Sequence, residues 1–337
     1  MTSGFQETEH PFAPFIRILG KGKKGARSLT REEAQTAFAM ILNGSVEEVQ
    51  LGAFLMLLRV KEETAEELAG FVDSSRVAML APPDALTVDL DWSSYAGKRN
   101  QHPWYLLSAL LLTQAGYRVF MHGSAGHTPG RLYSEQALGS LGISPALSWK
   151  DVEKQLAHSR FAYLSLEHFC PALHALMQLR PLLGLRSPVN TLTRVLNPLN
   201  ATASIQSVFH PAYAALHQSA GLLLGHHNAA VFKGESGEVE IKPQADTAVS
   251  WIVQSQPHDD TLARRMQTRP ERVSAPSTAP LLSLWQGEAQ NEYGLNAVLE
   301  TLQVALRLLN PQLTEATSQQ RARALWDARN KQQLLSR

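Results

Sequence analysis

Apolar and polar positions along this chain follow two rhythms, and the change falls at Pro82-Pro83. Before the prolines the period is helical. Thr30 and Glu33 form a capping box, in which hydroxyl and carboxylate satisfy free amides at a helix start. Ala34, Ala37, Phe38 and Ile41 then recur on one face until Asn43-Gly44 ends the helix. Ser45 with Glu48 predicts a second helix, its buried stripe running through Val49, Gly52, Ala53 and Met56. Thr64 with Glu67 predicts a third, with Leu68, Phe71 and Val72 inward. Three short helices make a small helical domain over residues 1–85.

Beyond the prolines strands enter. Residues 86–90 alternate and predict a strand, residues 104–115 a buried helix stopped by Gly116, and residues 117–121 a second strand. A helix over 134–141, strands over 161–166 and 229–232, and a long helix over 292–309 complete the pattern. That last helix carries Leu295, Val298, Leu299, Leu302, Ala305 and Leu306 as its stripe. Residues 264–280 hold polar breakers and read as an irregular loop. Strands alternating with helices predict an α/β fold: a small α-helical N-terminal domain plus a large α/β domain over 86–337, with a central, mostly parallel sheet flanked by helices.

Composition adds limits. The 337 residues are 44% hydrophobic and 18% charged, ordinary for a globular chain. One cysteine, Cys170, excludes an intramolecular disulfide and fits a reducing compartment. Residues 1–14 lack the basic start and apolar run of a signal peptide, and the longest apolar stretches (106–112 and 220–224) fall far short of a membrane span, so the expectation is a cytoplasmic protein with no membrane partner. Net charge is +1, which by itself argues for no nucleic-acid partner. The placement of charge is uneven, however. Residues 17–31 hold Arg17, Lys21, Lys23, Lys24, Arg27 and Arg31 without an acid. Arg264, Arg265, Arg269 and Arg272 form a second block, and Arg321, Arg323, Arg329, Lys331 and Arg337 a third.

Single chemical signals are weak. His226-His227 invites a metal, but adjacent residues point apart and share an ion poorly. Cys170 reads as a buried spacer. Trp92, Tyr95, Trp104 and Tyr105 suit either stacking on bases or filling a pocket. The turn at residues 124–128 has backbone amides suited to an anion.

Four segments in register resemble the anthranilate phosphoribosyltransferases and the related nucleoside phosphorylases. They are the helical opening from Leu29-Thr30-Arg31-Glu32-Glu33 through Gln50-Leu51-Gly52; Val119-Phe120-Met121-His122-Gly123; Leu183-Gly184-Leu185-Arg186-Ser187-Pro188-Val189-Asn190 with Leu196-Asn197-Pro198; and Val231-Phe232-Lys233-Gly234-Glu235-Ser236-Gly237-Glu238. The resemblance implies a homodimer through the helical domain, with Phe54, Leu57 and Leu58 as the apolar contact, and mid-chain helices near 171–200 joining that domain. It implies a structural role for the His122 turn.

The departures from the family bear on function. Its glycine-rich donor loop is replaced by Trp92-Ser93-Ser94-Tyr95-Ala96-Gly97-Lys98-Arg99, where only Gly97 remains and Tyr95 is expected to obstruct a diphosphate cradle. Its magnesium-binding acidic pair falls at Val239-Glu240, leaving one carboxylate. Gly97, His122, Gly123, Asn190 and Glu240 are thus the expected remnant of a donor and acceptor site, with no catalytic residue, no metal and no cofactor. In their place come Lys98, Arg99 and Arg131; Arg186 matches the family's acceptor-carboxylate arginine, and Thr193-Arg194 replaces Gly-Pro. This pattern resembles the YbiB branch of the family, which implies sequence-independent binding of DNA, or of RNA, by a dimer. Its contacts are expected from Lys21, Lys23, Lys24, Arg27, Lys98, Arg99, Arg131, Arg186, Arg194, Arg264, Arg265, Arg269 and Arg272. The alternatives are a glycosyl or phosphoribosyl transferase with an altered donor loop, and an inactive subunit that binds a protein.

Overall fold

The computed structural model describes residues 9–22 and 24–335; Lys23 lies outside them. The first unit is helical: Ala13–Gly20, Arg31–Leu42, Glu48–Lys61 and Ala65–Ala78. The capping boxes at Thr30/Glu33 and Thr64/Glu67 are both formed. Gly70 lets the second and fourth helices close up, because a Cβ there would overlap the Arg31 carbonyl. Phe12, Phe38, Phe54 and Phe71 form its centre.

Helix Glu48–Lys61 corrects two expectations. It starts from a box made by Glu47 and Gln50, not by Ser45 and Glu48. Its buried side chains are Phe54, Leu55 and Leu58, whereas Val49 is 79% and Val60 85% exposed. Phe54 and Leu58 therefore cannot form a dimer contact, and of the stripe expected to be buried Val49 and Ala53 are exposed while Met56 packs against the core. The helix is apolar nearly all round, so its period did not choose a face.

The large unit is built on seven strands: β1 (Leu90–Ser94), β2 (Val119–Gly123), β3 (Phe161–Ser165), β4 (Ala203–Val208), β5 (Asn228–Lys233), β6 (Thr247–Val253) and β7 (Gln256–Leu262), in the order β3-β2-β1-β4-β5-β6-β7. The first five are parallel, and β6 and β7 continue the sheet antiparallel. β1 begins where the predicted strand over 86–90 ends. Leu86 and Val88 are instead buried in the apolar cluster shared with the helical unit. Helices Tyr105–Gln114 and Glu292–Leu309 pack together, the latter also against β4 and β5. Each large apolar side chain removed from water there contributes about 1.5–3 kcal/mol. Helices Pro171–Met177, Arg180–Leu183 and Val189–Leu192 lie between the units, and Leu173, Val189 and Leu192 share a cluster with Phe71 and Val72. No helix among the described residues is long and apolar enough to cross a membrane.

Candidate functional site

In open α/β sheets the carboxyl ends of parallel strands form the binding crevice. Here β1 ends at Ser94 and continues as Tyr95-Ala96-Gly97-Lys98, with Gly97 at φ 69°. That left-handed turn aims two successive backbone amides inward, a nest of the kind that holds an anion. The nest is filled. Glu238, from the turn after β5, accepts the N–H of Ala96 at 2.7 Å and of Gly97 at 2.5 Å, while its other oxygen accepts the Ser94 hydroxyl at 2.7 Å. The carboxylate is fully buried.

Lys98 turns inward as well. Its Nζ lies 2.5 Å from Glu235 and 2.5 Å from Glu240, with no exposed surface. The second Glu240 oxygen accepts the backbone N–H of Tyr105 at 3.0 Å. Burial, opposed by Lys98, pushes the Glu240 carboxyl up to about 7, while at Glu235 burial is outweighed by Lys98 and smaller contributions, which hold that carboxyl low. The family's donor and magnesium do not fit these residues: a carboxylate occupies the anion nest, and an ammonium occupies the space between the carboxylates that would ligate a cation. Lys98 is thereby removed from the expected phosphate contacts.

Beneath the nest runs a buried polar chain. The Tyr95 hydroxyl lies 2.7 Å from His122 Nδ1, and His122 Nε2 lies 3.1 Å from Asp91. Asp91 also accepts from Ser204, which is joined through Gln206 to His217. Tyr95 donating to Nδ1 leaves the Nε2 proton facing Asp91 Oδ1, close but out of hydrogen-bond geometry, so both atoms are buried without a hydrogen bond among the described residues. Tyr95 therefore points away from the nest; Glu238, not Tyr95, obstructs it. Gly123 completes this layer, its Cα packed against the Ser94 carbonyl.

Arginines gather on the open side. Arg131 donates to the carbonyls of Ala96, Gly97 and Ser236, and Arg180 to His127 O and the Thr128 hydroxyl. Arg194 is 6% exposed, with Nε and Nη1 on the Asn190, Ser207 and Gly237 carbonyls and the Ser207 hydroxyl. These bonds commit Nε and Nη1 to the chain and leave Nη2 as the nitrogen without a bond among the described residues, a narrower place for Arg194 than the fully open phosphate contact expected. Arg186 has no hydrogen bond among the described residues and lies 5.8 Å from the Phe209 ring centroid. Burial, then repulsion from Arg131, Arg194 and Arg180, pushes Arg186 down to about 10. None of the four has an ion pair with a carboxylate among the described residues. Arg180 carried no sequence signal; only the fold brings it here.

The outer basic residues divide. Lys21, Lys24, Arg99, Arg264, Arg269 and Arg272 are exposed and form no ion pair among the described residues. Arg99 adjoins the irregular loop, since Asn100 accepts from the Val273 amide and Gln101 donates to the Glu271 carbonyl. Arg27 is bonded to Glu33. Arg265 is held by Glu300 and Glu315, so its charge is already partly compensated within the chain. Trp92, Tyr95, Trp104 and Tyr105 are buried and cannot stack on bases; Phe209, 44% exposed, is an aromatic that the sequence reading missed.

The glycosyl transferase family's helical bundle domain matches residues 13–79, and its a/b domain matches residues 105–275. The uncharacterized protein YbiB of Escherichia coli K12 is 30% identical over 72% of this chain and 76% of its own length. An anthranilate phosphoribosyltransferase of Methylorubrum extorquens is 29% identical over 88% of this chain and 85% of its own. Among solved structures, the anthranilate phosphoribosyltransferase of Thermus thermophilus superposes with TM-score 0.77 at 22% identity, covering 94% of each chain. The Saccharomyces cerevisiae enzyme in complex with PRPP and Mg gives 0.78 at 17% identity, covering 95% of this chain and 94% of that one.

Proposed function

Since this chain belongs to the glycosyl transferase family that includes the anthranilate phosphoribosyltransferases, yet fills its own anion nest, we propose that it binds nucleic acid through the phosphate backbone, as a homodimer, and transfers no phosphoribosyl group. The observation that carries this reading is the cluster of Arg131, Arg180, Arg186 and Arg194, none of which forms an ion pair with a carboxylate among the described residues, so that only the buried Glu238 offsets the charge of Arg131 and Arg194. A single small acid compensates part of that charge; a polyanion compensates the cluster and also engages Arg99, Arg264, Arg269 and Arg272 outside it. Contacts of this kind position a strand without reading bases, so DNA and RNA are both substrates for binding. The expectation of sequence-tolerant binding follows from the chemistry of the donors, all of them cationic side chains with no amide pair aimed at a base edge.

The test is a fluorescence titration with random-sequence DNA and RNA across a range of salt. The logarithm of affinity falling linearly with the logarithm of salt supports the reading. Absence of binding at low salt overturns it. The transferase reading is favoured by one feature, Arg186 and Asn190 retained together at the acceptor side, and turnover of the phosphoribosyl donor with an aromatic acid would establish it instead.

A further inference from the structure

We infer that the cavity beside Phe209 seats a terminal phosphate monoester whose base stacks on that ring, so that this chain holds the end of a nucleic-acid strand. The inference rests on the nucleic-acid reading above and adds to it a distinct subsite. The cavity has a volume of about 100 Å³ and is lined by Arg59, Arg186, Arg194, Ser187, Asn190 and Tyr213. That is well below the roughly 300–1,000 Å³ of sites that enclose a whole small molecule. One oxyanion group enters; a ring attached to it stays outside.

The lining is suited to an oxyanion. No carboxylate contributes to it. Arg186 is without a hydrogen bond, and Arg194 keeps Nη2 unbonded among the described residues although its other nitrogens are committed. Arg59 reaches in from the helical unit, bonded to Tyr213 at 3.3 Å, so the cavity lies at the junction of the two units. A monoester carries about −1.5 to −2 charge at neutral pH and three acceptor oxygens. An internal phosphodiester carries one charge and has chain on both sides. Half-buried guanidinium groups held close together gain more from the monoester, and a cavity this small is reached more easily by a group with one substituent.

Phe209 supplies the other half. It follows β4 directly, is 44% exposed, and has Arg186 5.8 Å from its ring centroid and His210 in a T-shaped contact at 5.0 Å. An exposed aromatic ring at the mouth of a cationic cavity is a stacking platform for a base of any sequence.

The experiment compares one random-sequence single strand phosphorylated at its 5′ end, at its 3′ end, or at neither, with a free 5′-mononucleotide as a fourth ligand. One phosphorylated strand should bind at least about fivefold tighter than the unphosphorylated one. Arg186→Ala should bring that ratio to one, and so should Phe209→Ala, whose exposed site leaves the fold intact by circular dichroism. A ratio of one in the parent protein overturns the terminal seat and leaves backbone binding standing; a ratio unchanged in both variants overturns its location. If no strand binds, the nucleic-acid reading fails, and the mononucleotide decides the cavity alone. Binding lost in Arg186→Ala then assigns it to free nucleotides, and no binding overturns it. A mononucleotide as tight as the phosphorylated strand likewise names the free nucleotide as the source.

Discussion

Gly97 gives its backbone N–H to Glu238 across 2.5 Å, so the loop that resembles a donor cradle holds a carboxylate supplied by its own chain. The same carboxylate satisfies Ala96 and Ser94, and removing it leaves the two buried amides of Ala96 and Gly97 unmet, since the Ser94 hydroxyl can turn to Ser134. Glu238→Ala should therefore lose about 2–4 kcal/mol of stability, each unmet donor costing roughly 1–3 kcal/mol before water enters. Added pyrophosphate should raise the melting temperature of this variant and not that of the parent. An equal rise in both would mean that the nest is open in the parent protein.

Lys98 is the counterpart. Lys98→Met leaves Glu235 and Glu240 facing each other without a cation, a loss of about 3–5 kcal/mol. Adding Glu240→Gln should recover a good part of it, because one buried charge is then gone. A urea-unfolding double-mutant cycle measures the coupling, and strictly additive effects would dissolve the proposed unit.

Acid should destabilise the protein well above the range of ordinary carboxylates. Burial pushes His217 down to about 3, and His127 and His226 to about 4. The unfolded chain binds protons at these histidines below about pH 6.5, and the native state does not, so their stabilisation is full above that pH and declines as pH falls toward 4. From pH 7 to 5 each loses about 2 kcal/mol. Glu240, raised by burial, titrates in the opposite sense and offsets about one of the three. The net loss is about 4 kcal/mol, checked by urea midpoints at the two pH values. A pH-independent midpoint would contradict the buried neutral state.

For nucleic acid, replacing Arg99, Arg269 and Arg272 together with alanine should weaken all sequences alike. The salt slope should flatten by about 0.9 for each duplex phosphate no longer neutralised, or about 0.7 on a single strand. Arg265→Ala should leave the slope unchanged and lower the unfolding midpoint, since its guanidinium is already held by Glu300 and Glu315. An Arg265 effect as large as that of the triple variant would reverse this division.

Self-association is expected through the outer face of helix Glu48–Lys61, where Val49 and Val60 are 79% and 85% exposed. Val49→Glu with Val60→Glu should turn a dimer into a folded monomer by light scattering. A parent protein that is monomeric at micromolar concentration would remove the dimer from the proposal.

Much of the fold was legible in local chemistry. Helices Arg31–Leu42 and Ala65–Ala78 announced themselves by capping boxes, and Glu292–Leu309 matched its predicted span residue for residue. The β6–β7 hairpin was not legible, because its turn uses Gln254 and Ser255 at φ 50° and 63° where Asn-Gly or Asp-Gly is the usual signal. The site was legible only in outline. The loss of donor glycines was plain, and so was the excess of base. That Lys98 is turned inward depends on Glu235 and Glu240, more than a hundred residues away, and no spacing rule joins them. Arg180 and Phe209 gained their places in the same way.

The internal pairing of Lys98 with Glu235 and Glu240, and of Glu238 with the loop amides, also limits what the chain can become. A transferase empties and refills its cradle in every cycle, so the cradle must tolerate vacancy. Here each charged group depends on another, and deleting one alone exposes the rest to burial without a partner. Against a total stability of about 5–15 kcal/mol, a single step of 3–5 kcal/mol is a large fraction. Opening the cradle to a donor would need Lys98, Glu238 and the loop to change nearly together, so the site behaves as a latch: a change at any one of these positions alone costs more than it frees.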